Sequence, residues 1–351
     1  MRKAARRWSV RAGIVAIVGV GLLIGSTSAF AAVRINGAGA TFPALLYGKW
    51  SKGYKAAQIN YNAVGSGTGV AQIENGTVNF GATDKPQTTA TLKQYGLVQF
   101  PSCIGGVVPI VHVGSIASGR LKLSGPVLAK IFEGKITTWN NAAIKQLNPG
   151  LKLPSSKITT IHRSDTSGTT WIFTHYLKAV DPSWPFADWS GAWPGHGTGM
   201  RGSATLAGKV KSVNGAIGYV EYSYALTAHV AYAQLKNASG KWVLPSTAKF
   251  AAAAAHASWS SSNGFATNLV NMKGAGAWPI TGATYILLKK SQANKTVGHD
   301  MLGFFNWGFS TSTGKSDAKA LDFVSLPKSA VTKITTVWRS SVKSSGKPCW
   351  P

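Results

Sequence analysis

Carboxylates are scarce in this chain: 351 residues hold 10 Asp and Glu against 37 Lys and Arg, a formal net charge of +27. Such a balance ordinarily points to nucleic acid or an anionic membrane. Here the basic residues are scattered singly, with no dense basic helix and no nucleic-acid motif, so nucleic acid is not an expected partner. One explanation for the missing acids is an acidic exterior, where surface carboxylates would be protonated and unable to balance Lys and Arg. Cysteine is scarcer still, with only Cys103 and Cys349. An exported protein can join two such residues; a buried Cys103 beside Ile104, with Cys349 free in a loose tail, is the other reading.

Catalytic and metal motifs are missing as well. The seven His residues show no HExxH or other close metal spacing, and no GxSxG elbow marks a hydrolase. Gly37-x-Gly39 has Phe42 where a dinucleotide fingerprint needs its third glycine. The run Gly308 to Ser316 is one residue too long between its glycines for a phosphate-binding loop, and no strand precedes it. Asp165-Thr166-Ser167-Gly168 lacks the second copy that an aspartic protease requires, and Thr166 stands where an aspartyl-phosphate enzyme needs Lys. Neither a metal nor a cofactor is expected.

What is present begins with an export signal. Arg2, Lys3, Arg6, Arg7 and Arg11 form a basic head, Ala12 to Gly25 an apolar stretch, and Ala29-Phe30-Ala31 an A-x-A cleavage site, so the mature chain should start near Ala32. Removing this segment leaves 32 Lys and Arg and a net charge of +22. Nothing later approaches the roughly 18 consecutive apolar residues of a membrane span. With no cysteine at the cleavage site to accept lipid, a periplasmic product is the expectation.

From Val33 onward, short apolar runs alternate with helical patterns, the signature of an α/β protein. The expected strands are VRINGAG, INYNAVG, VNFGATD, LVQF, GGVVPIVHV, ITTIHR, AIGYVEY and TYILLKK. Phe42, Leu46, Trp50 and Tyr54 recur every four residues after the GAGAT turn and predict an amphipathic helix. A second, carrying Val70 and Ile73, should stop at Asn75-Gly76. Further helices are expected over 125–132, 140–147, 169–180, 250–257, 297–308 and 317–323. The Trp/Gly/Pro-rich stretch 181–202 reads as an irregular surface excursion.

Residues 163–170 have the make-up of an anion site. Arg163 supplies fixed charge, Asp165 can orient it, Ser164, Thr166, Ser167, Thr169 and Thr170 offer hydroxyls, and Gly168 permits close backbone approach just before a helix start. Two other segments share the strand-turn-helix design: Gly37 to Phe42 and Gly65 to Gly69. In an open α/β sheet such turns converge beyond the carboxyl ends of the strands. Each alone is more often structural; three with an Arg/Asp pair point to a site. His162 beside it reads as an ordinary strand-end histidine.

These residues carry a resemblance. GAGATFPALLYGKW, VGSGTGVAQIENGTVNFGATDKP, QFPSCIGGVVPIV, LSGPVLAKIFEGKITTWNN, the run from LNPG to IHRSDTSGTTWIFTHYL, GAIGYVEYSYA and AWPITGATYILL occur in order over nearly the whole mature chain. Together they resemble the PstS family, the phosphate-binding proteins of bacterial high-affinity phosphate ABC transporters. The resemblance implies a two-lobed periplasmic-binding-protein fold of type II, hinge-connected, with the ligand in the interlobe cleft. It places residues 32–105 plus 281–351 in lobe I and 106–280 in lobe II. It implies ligand contacts from Thr41, the backbone of Phe42, Ser66, Asp84, Arg163, Ser167, Gly168 and Thr169, with Asp165 bracing Arg163.

The function so implied is binding of inorganic phosphate in the periplasm, without catalysis, by a monomer that delivers it to the permease and ATPase subunits of an ABC transporter. Asp84 would select the ligand. Phosphate near neutral pH retains a proton and sulfate has none, so an ionised Asp84 would accept a hydrogen bond from one and meet only lone pairs on the other. Arsenate shares the shape and protonation of phosphate and stays an alternative ligand. A surface-adhesive relative of the family, which the basic exterior would suit, and a phosphatase using the same cradle are the other readings.

Overall fold

The computed structural model describes residues 33–185, 188–190, 193, 197–255 and 257–351. The predicted export head and cleavage site lie outside these residues. Leu97 to His112 form one sixteen-residue strand buried along almost its whole length. It is apolar nearly throughout because both its faces are covered, and the rest of the fold is arranged around it.

In chain order the strands are β1 (Val33–Gly39), β2 (Ala57–Asn62), β3 (Phe80–Thr83), β4 (Leu97–His112), β5 (Lys122–Leu123), β6 (Thr159–Arg163), β7 (Thr198–Met200), β8 (Ala216–Glu221), β9 (Ala231–Tyr232), β10 (Gln234–Lys236), β11 (Trp242–Val243), β12 (Thr281–Lys289), β13 (Lys343–Ser344) and β14 (Lys347–Pro348). Nine of them make one sheet in the order β2-β1-β3-β12-β4-β8-β6-β7, with β9 also on β4. The first half of β4 runs antiparallel to β12, from Leu97 opposite Lys289 to Gly106 opposite Thr281. Its second half pairs with β8, from Val107 opposite Glu221 to His112 opposite Ala216. One strand thus serves two half-sheets, β1 to β3 on one side and β6 to β8 on the other, and the protein is two-lobed.

Each half-sheet contains parallel strands joined through helices, as apolar strands alternating with amphipathic stretches require. The Ala44–Gly53 helix buries Leu46, Tyr47 and Trp50, and the Ser66–Glu74 helix buries Val70 and Ile73 and ends before Gly76 at φ 70°. The Gly125–Phe132 helix has the predicted bounds. Sequence expected two strands, LVQF and GGVVPIVHV, on either side of Pro101, and the structure joins them. Thr284 faces Cys103 and Tyr285 faces Pro101, so Ser102 is an extra residue on β4. Such a bulge lets a central strand carry a proline, which has no N–H for the ladder.

Four helices were not read from the sequence: Thr89–Gln94, Ser203–Ser212, Tyr222–Thr227 and Lys328–Ser341. The last buries Ala330, Ile334 and Trp338, with Val331 and Val337 partly buried beside them. The two cysteines are free, and both are buried. Cys349 is not in a loose tail: its N–H donates to the Val342 carbonyl at 2.9 Å, just beyond the β13-β14 hairpin. Of the 181–202 excursion, Thr198–Met200 forms β7, and part lies outside the described residues. Among the described residues, no helix is long and apolar enough to cross a membrane.

Candidate functional site

The three glycine-rich turns stand at the carboxyl ends of parallel strands. β1 ends at Gly39, where φ is 142° and an added Cβ would fall 2.0 Å from the Ala82 carbonyl oxygen. Only glycine lets β1 and β3 lie this close, and the chain then passes Ala40, Thr41 and Phe42 into the Ala44–Gly53 helix. β3 ends one residue before Asp84. Gly65, with φ 98°, delivers Ser66 as the first residue of its helix. β6 ends at Arg163, and Ser167 caps the Gly168–Val180 helix by accepting the Thr170 N–H at 3.2 Å.

Across the cleft these turns meet. The Gly67 N–H donates to the Thr166 carbonyl at 3.0 Å, and the Gly168 N–H to Ser66 Oγ at 3.1 Å. A Cβ on Gly168 would come within 2.6 Å of Asp84 Cβ, the Asp84 nitrogen and Ser66 Oγ. Ser66 Oγ also accepts the Asp84 N–H at 3.4 Å, so both its lone pairs are engaged and its proton is free to donate. The Ser167 hydroxyl likewise accepts within the protein and keeps its proton.

Arg163 is held by a carboxylate fork. Its Nε donates to Asp165 Oδ1 at 2.6 Å, and its Nη2 pairs with Asp165 Oδ2. Nη1 donates across the cleft to Thr41 Oγ1 at 3.1 Å and, on its own side, to Ser203 Oγ at 3.3 Å. Asp165 also accepts the Gly202 N–H at 3.2 Å. Burial alone would raise the Asp165 carboxyl, but the hydrogen bonds and charge of Arg163, helped by Gly202, hold it below its ordinary value.

Asp84 is in a different state. It is 1% exposed, and its Oδ1 accepts Thr284 Oγ1–H at 2.6 Å while Thr169 Oγ1 reaches Oδ2 only at 3.5 Å. Burial pushes its carboxyl up to about 7, against the lowering effects of Thr284, the Arg163 charge and Thr169. Burial thus works against the ionised form that the sequence reading gives Asp84 and makes it readier to accept a proton.

Thr41, Ser66, Asp84, Arg163, Gly168 and Thr169 thus come together, with Ser167 at the helix cap. Phe42 is fully buried, its ring edge-on to Phe323 at 5.9 Å, leaving only its backbone to face the cleft. His162 turns aside, its Nδ1 on the Arg163 carbonyl at 3.0 Å and its ring stacked on Trp193. Sequence reasoning missed three participants. Ser203 shares a 2.7 Å hydrogen bond with Thr41, Tyr224 donates to the Thr41 carbonyl at 2.7 Å, and Thr284 holds Asp84. The signal for Ser203 was available, since Gly202-Ser203 repeats the Gly-Ser helix start of Gly65-Ser66. Among the described residues there is no group of His, Cys, Asp and Glu that could hold a metal.

Known proteins are similar to this chain in sequence and fold. The PBP superfamily domain matches residues 25–312. The Phosphate-binding protein PstS of Xylella fastidiosa (strain 9a5c) is 46% identical over 317 residues, covering 89% of this chain and 86% of that protein. That of Pasteurella multocida (strain Pm70) is 44% identical over 326 residues, 91% of this chain and 94% of the relative. A periplasmic phosphate-binding protein, PfluDING, solved bound with phosphate at pH 8.5, superposes with TM-score 0.73 at 24% identity, covering 90% of this chain and 96% of that one. A two-lobed α/β sheet, an ordered set of shared motifs and this degree of identity lead to one conclusion: the chain belongs to the PstS family of phosphate-binding proteins, within the PBP superfamily.

Proposed function

We propose that this protein binds inorganic phosphate in the periplasm and delivers it to the permease and ATPase subunits of a phosphate ABC transporter. The observation that carries the reading is a buried carboxylate, Asp84, set against an Arg163 already neutralised by Asp165. A cradle for any anion needs positive charge and donors; a second, free carboxylate repels an anion unless the ligand brings a proton. Phosphate brings one and sulfate does not. The names of the relatives point the same way.

In this reading the phosphate oxygens take the Arg163 guanidinium, the hydroxyl protons of Thr41, Ser66 and Ser167, and the N–H groups of Phe42 and Thr169 at the helix starts, while the Gly168 N–H turns to the ligand from Ser66 Oγ and the Thr169 hydroxyl from its long contact with Asp84. Its hydroxyl donates to Asp84. Lobe I comprises residues 32–105 plus 281–351 and lobe II residues 106–280, a division supported by the way β4 passes from β12 to β8 at Gly106 and Val107. The contacts from Gly67 to Thr166 and from Gly168 to Ser66 join the lobes around the site, so ligand exchange requires them to part. The protein acts as a monomer, after removal of residues 1–31, and binds its ligand without a reaction, a reading supported by His162, which is turned away from the hydroxyls onto the Arg163 carbonyl.

Isothermal calorimetry of the mature chain with phosphate, arsenate and sulfate tests this. Tight binding of phosphate with sulfate at least about a thousandfold weaker is the expected result. Equal affinity for sulfate would contradict it, and arsenate binding more tightly than phosphate would reassign the ligand.

A further inference from the structure

Asp84 has two oxygens, and the protein treats them unequally. Oδ1 takes the short 2.6 Å hydrogen bond from Thr284, whereas Oδ2 has only Thr169 at 3.5 Å. Thr284 lies on β12, 200 residues from Asp84 in sequence, at the point where the β4-β12 register shifts. The bulge residue Ser102 donates to the Thr284 carbonyl at 3.2 Å, and Tyr47 bonds to Ser102 in turn. A bulge re-aims the side chains beside it, and this one is pinned from the core. Thr284 is 0% exposed, so its hydroxyl is shut off from bulk solvent.

We propose that Thr284 is a specificity-determining positioning residue: by occupying Oδ1 of Asp84 it fixes the carboxylate and leaves Oδ2 to receive the proton that distinguishes the ligand. This rests on the phosphate reading above. A hydroxyl donating to a carboxylate favours the charged form, and only the charged form excludes an unprotonated anion. Besides Thr284 and Thr169, Asp84 interacts with Arg163 from the end of β6, Tyr47 from the 44–53 helix, Tyr61 from β2, Cys103 from β4 and Tyr224 from the 222–227 helix. Burial raises all three phenols and the thiol above their ordinary values and keeps them neutral, so of these groups Arg163 alone is charged. Arg163 is already forked to Asp165, which leaves the Thr284 hydroxyl as the strongest direct hold on Asp84.

The test measures phosphate and sulfate affinity from about pH 5 to about pH 9 for the mature parent, Thr284→Val and Thr284→Ser. In Thr284→Val the phosphate-to-sulfate ratio should fall about ten- to a hundredfold near neutral pH and recover as the pH rises. Thr284→Ser, which keeps the hydroxyl, should retain the parent profile. Equal loss of both affinities with an unmoved pH profile would overturn the proposal, since that is what a packing defect gives. Should Thr284→Val fail to fold, infrared titration of the Asp84 carboxyl in Thr284→Ala, assigned by its loss in Asp84→Asn, replaces it. The midpoint must move up, and an unmoved midpoint overturns the assignment. A parent that binds sulfate as well as phosphate would count against the phosphate reading, while the carboxyl titration would still decide the role of Thr284.

Discussion

Asp84 and Asp165 are carboxylates of one cleft, both withdrawn from water, and the fold pushes their proton affinities in opposite directions. Asp165 meets the guanidinium fork of Arg163 and a backbone N–H and is held low. Asp84 feels Arg163 only through its charge and has hydroxyls as hydrogen-bond partners; burial prevails and its carboxyl rises to about 7. In this site, then, neutral donors alone do not offset burial, whereas a bidentate cation does. The two residues accordingly divide the work. Asp165 keeps Arg163 aimed at Thr41, and Asp84 senses a proton on what binds.

The comparison breaks most sharply at Asp165. Asp165→Ala leaves Arg163 buried without its counter-charge, and urea unfolding should report a loss of about 3–5 kcal/mol. A loss below about 1 kcal/mol would mean that the pair is not what holds the guanidinium.

Stability against pH sharpens it next. The folded carboxyl of Asp84 lies above its unfolded value, so the native state binds the extra proton. The stability this gives is fully present below about pH 4 and lost as pH rises through about 7, up to about 4 kcal/mol in all. Glu221, opposite Val107 on β4, is pushed up to about 8 by burial against its hydrogen bonds from Ser223 and acts in the same direction. Asp165 acts in the opposite one: its contribution is present above the ordinary carboxylate range and is lost as pH falls through its lowered value. Thermal unfolding should therefore show stability declining from about pH 4 to about pH 8, with Asp84→Asn and Glu221→Gln each flattening the slope. A flat parent profile over that range would contradict it.

Smaller effects come from the groups that join the lobes. Gly168→Ala places a Cβ 2.6 Å from Asp84 backbone and Ser66, and phosphate affinity should fall about tenfold or more by calorimetry. Ser203→Ala removes one hydroxyl shared with Thr41 and Arg163, and about a tenfold loss or less is expected.

Much of the site was legible because it is written in short contiguous runs. GAGATF and RSDTSGT each carry a strand end and the turn into a helix, GSG a turn and a helix start, and GATD a strand end, and local backbone geometry suffices to read them. Thr284 and Tyr224 were not legible, since a strand threonine and a helix tyrosine acquire their roles only through the β4-β12 bulge and the packing of the 222–227 helix. Pro101 misled for the same reason, as the bulge that accommodates it is set by its partner strand. The charge state of Asp84 is a property of burial and was out of reach of any motif. The Lys328–Ser341 helix was not read although Ala330, Val331, Ile334, Val337 and Trp338 recur at helical spacing on its core-facing side.

The central claim is that Asp84 selects the ligand by accepting its proton. The most direct measurement is the ratio of phosphate to sulfate affinity in Asp84→Asn beside the parent, at a pH about one unit above 7, where the parent carboxyl is ionised. The variant can donate to sulfate through its amide, so the ratio should collapse by about a hundredfold or more. A ratio unchanged within about twofold would contradict the account.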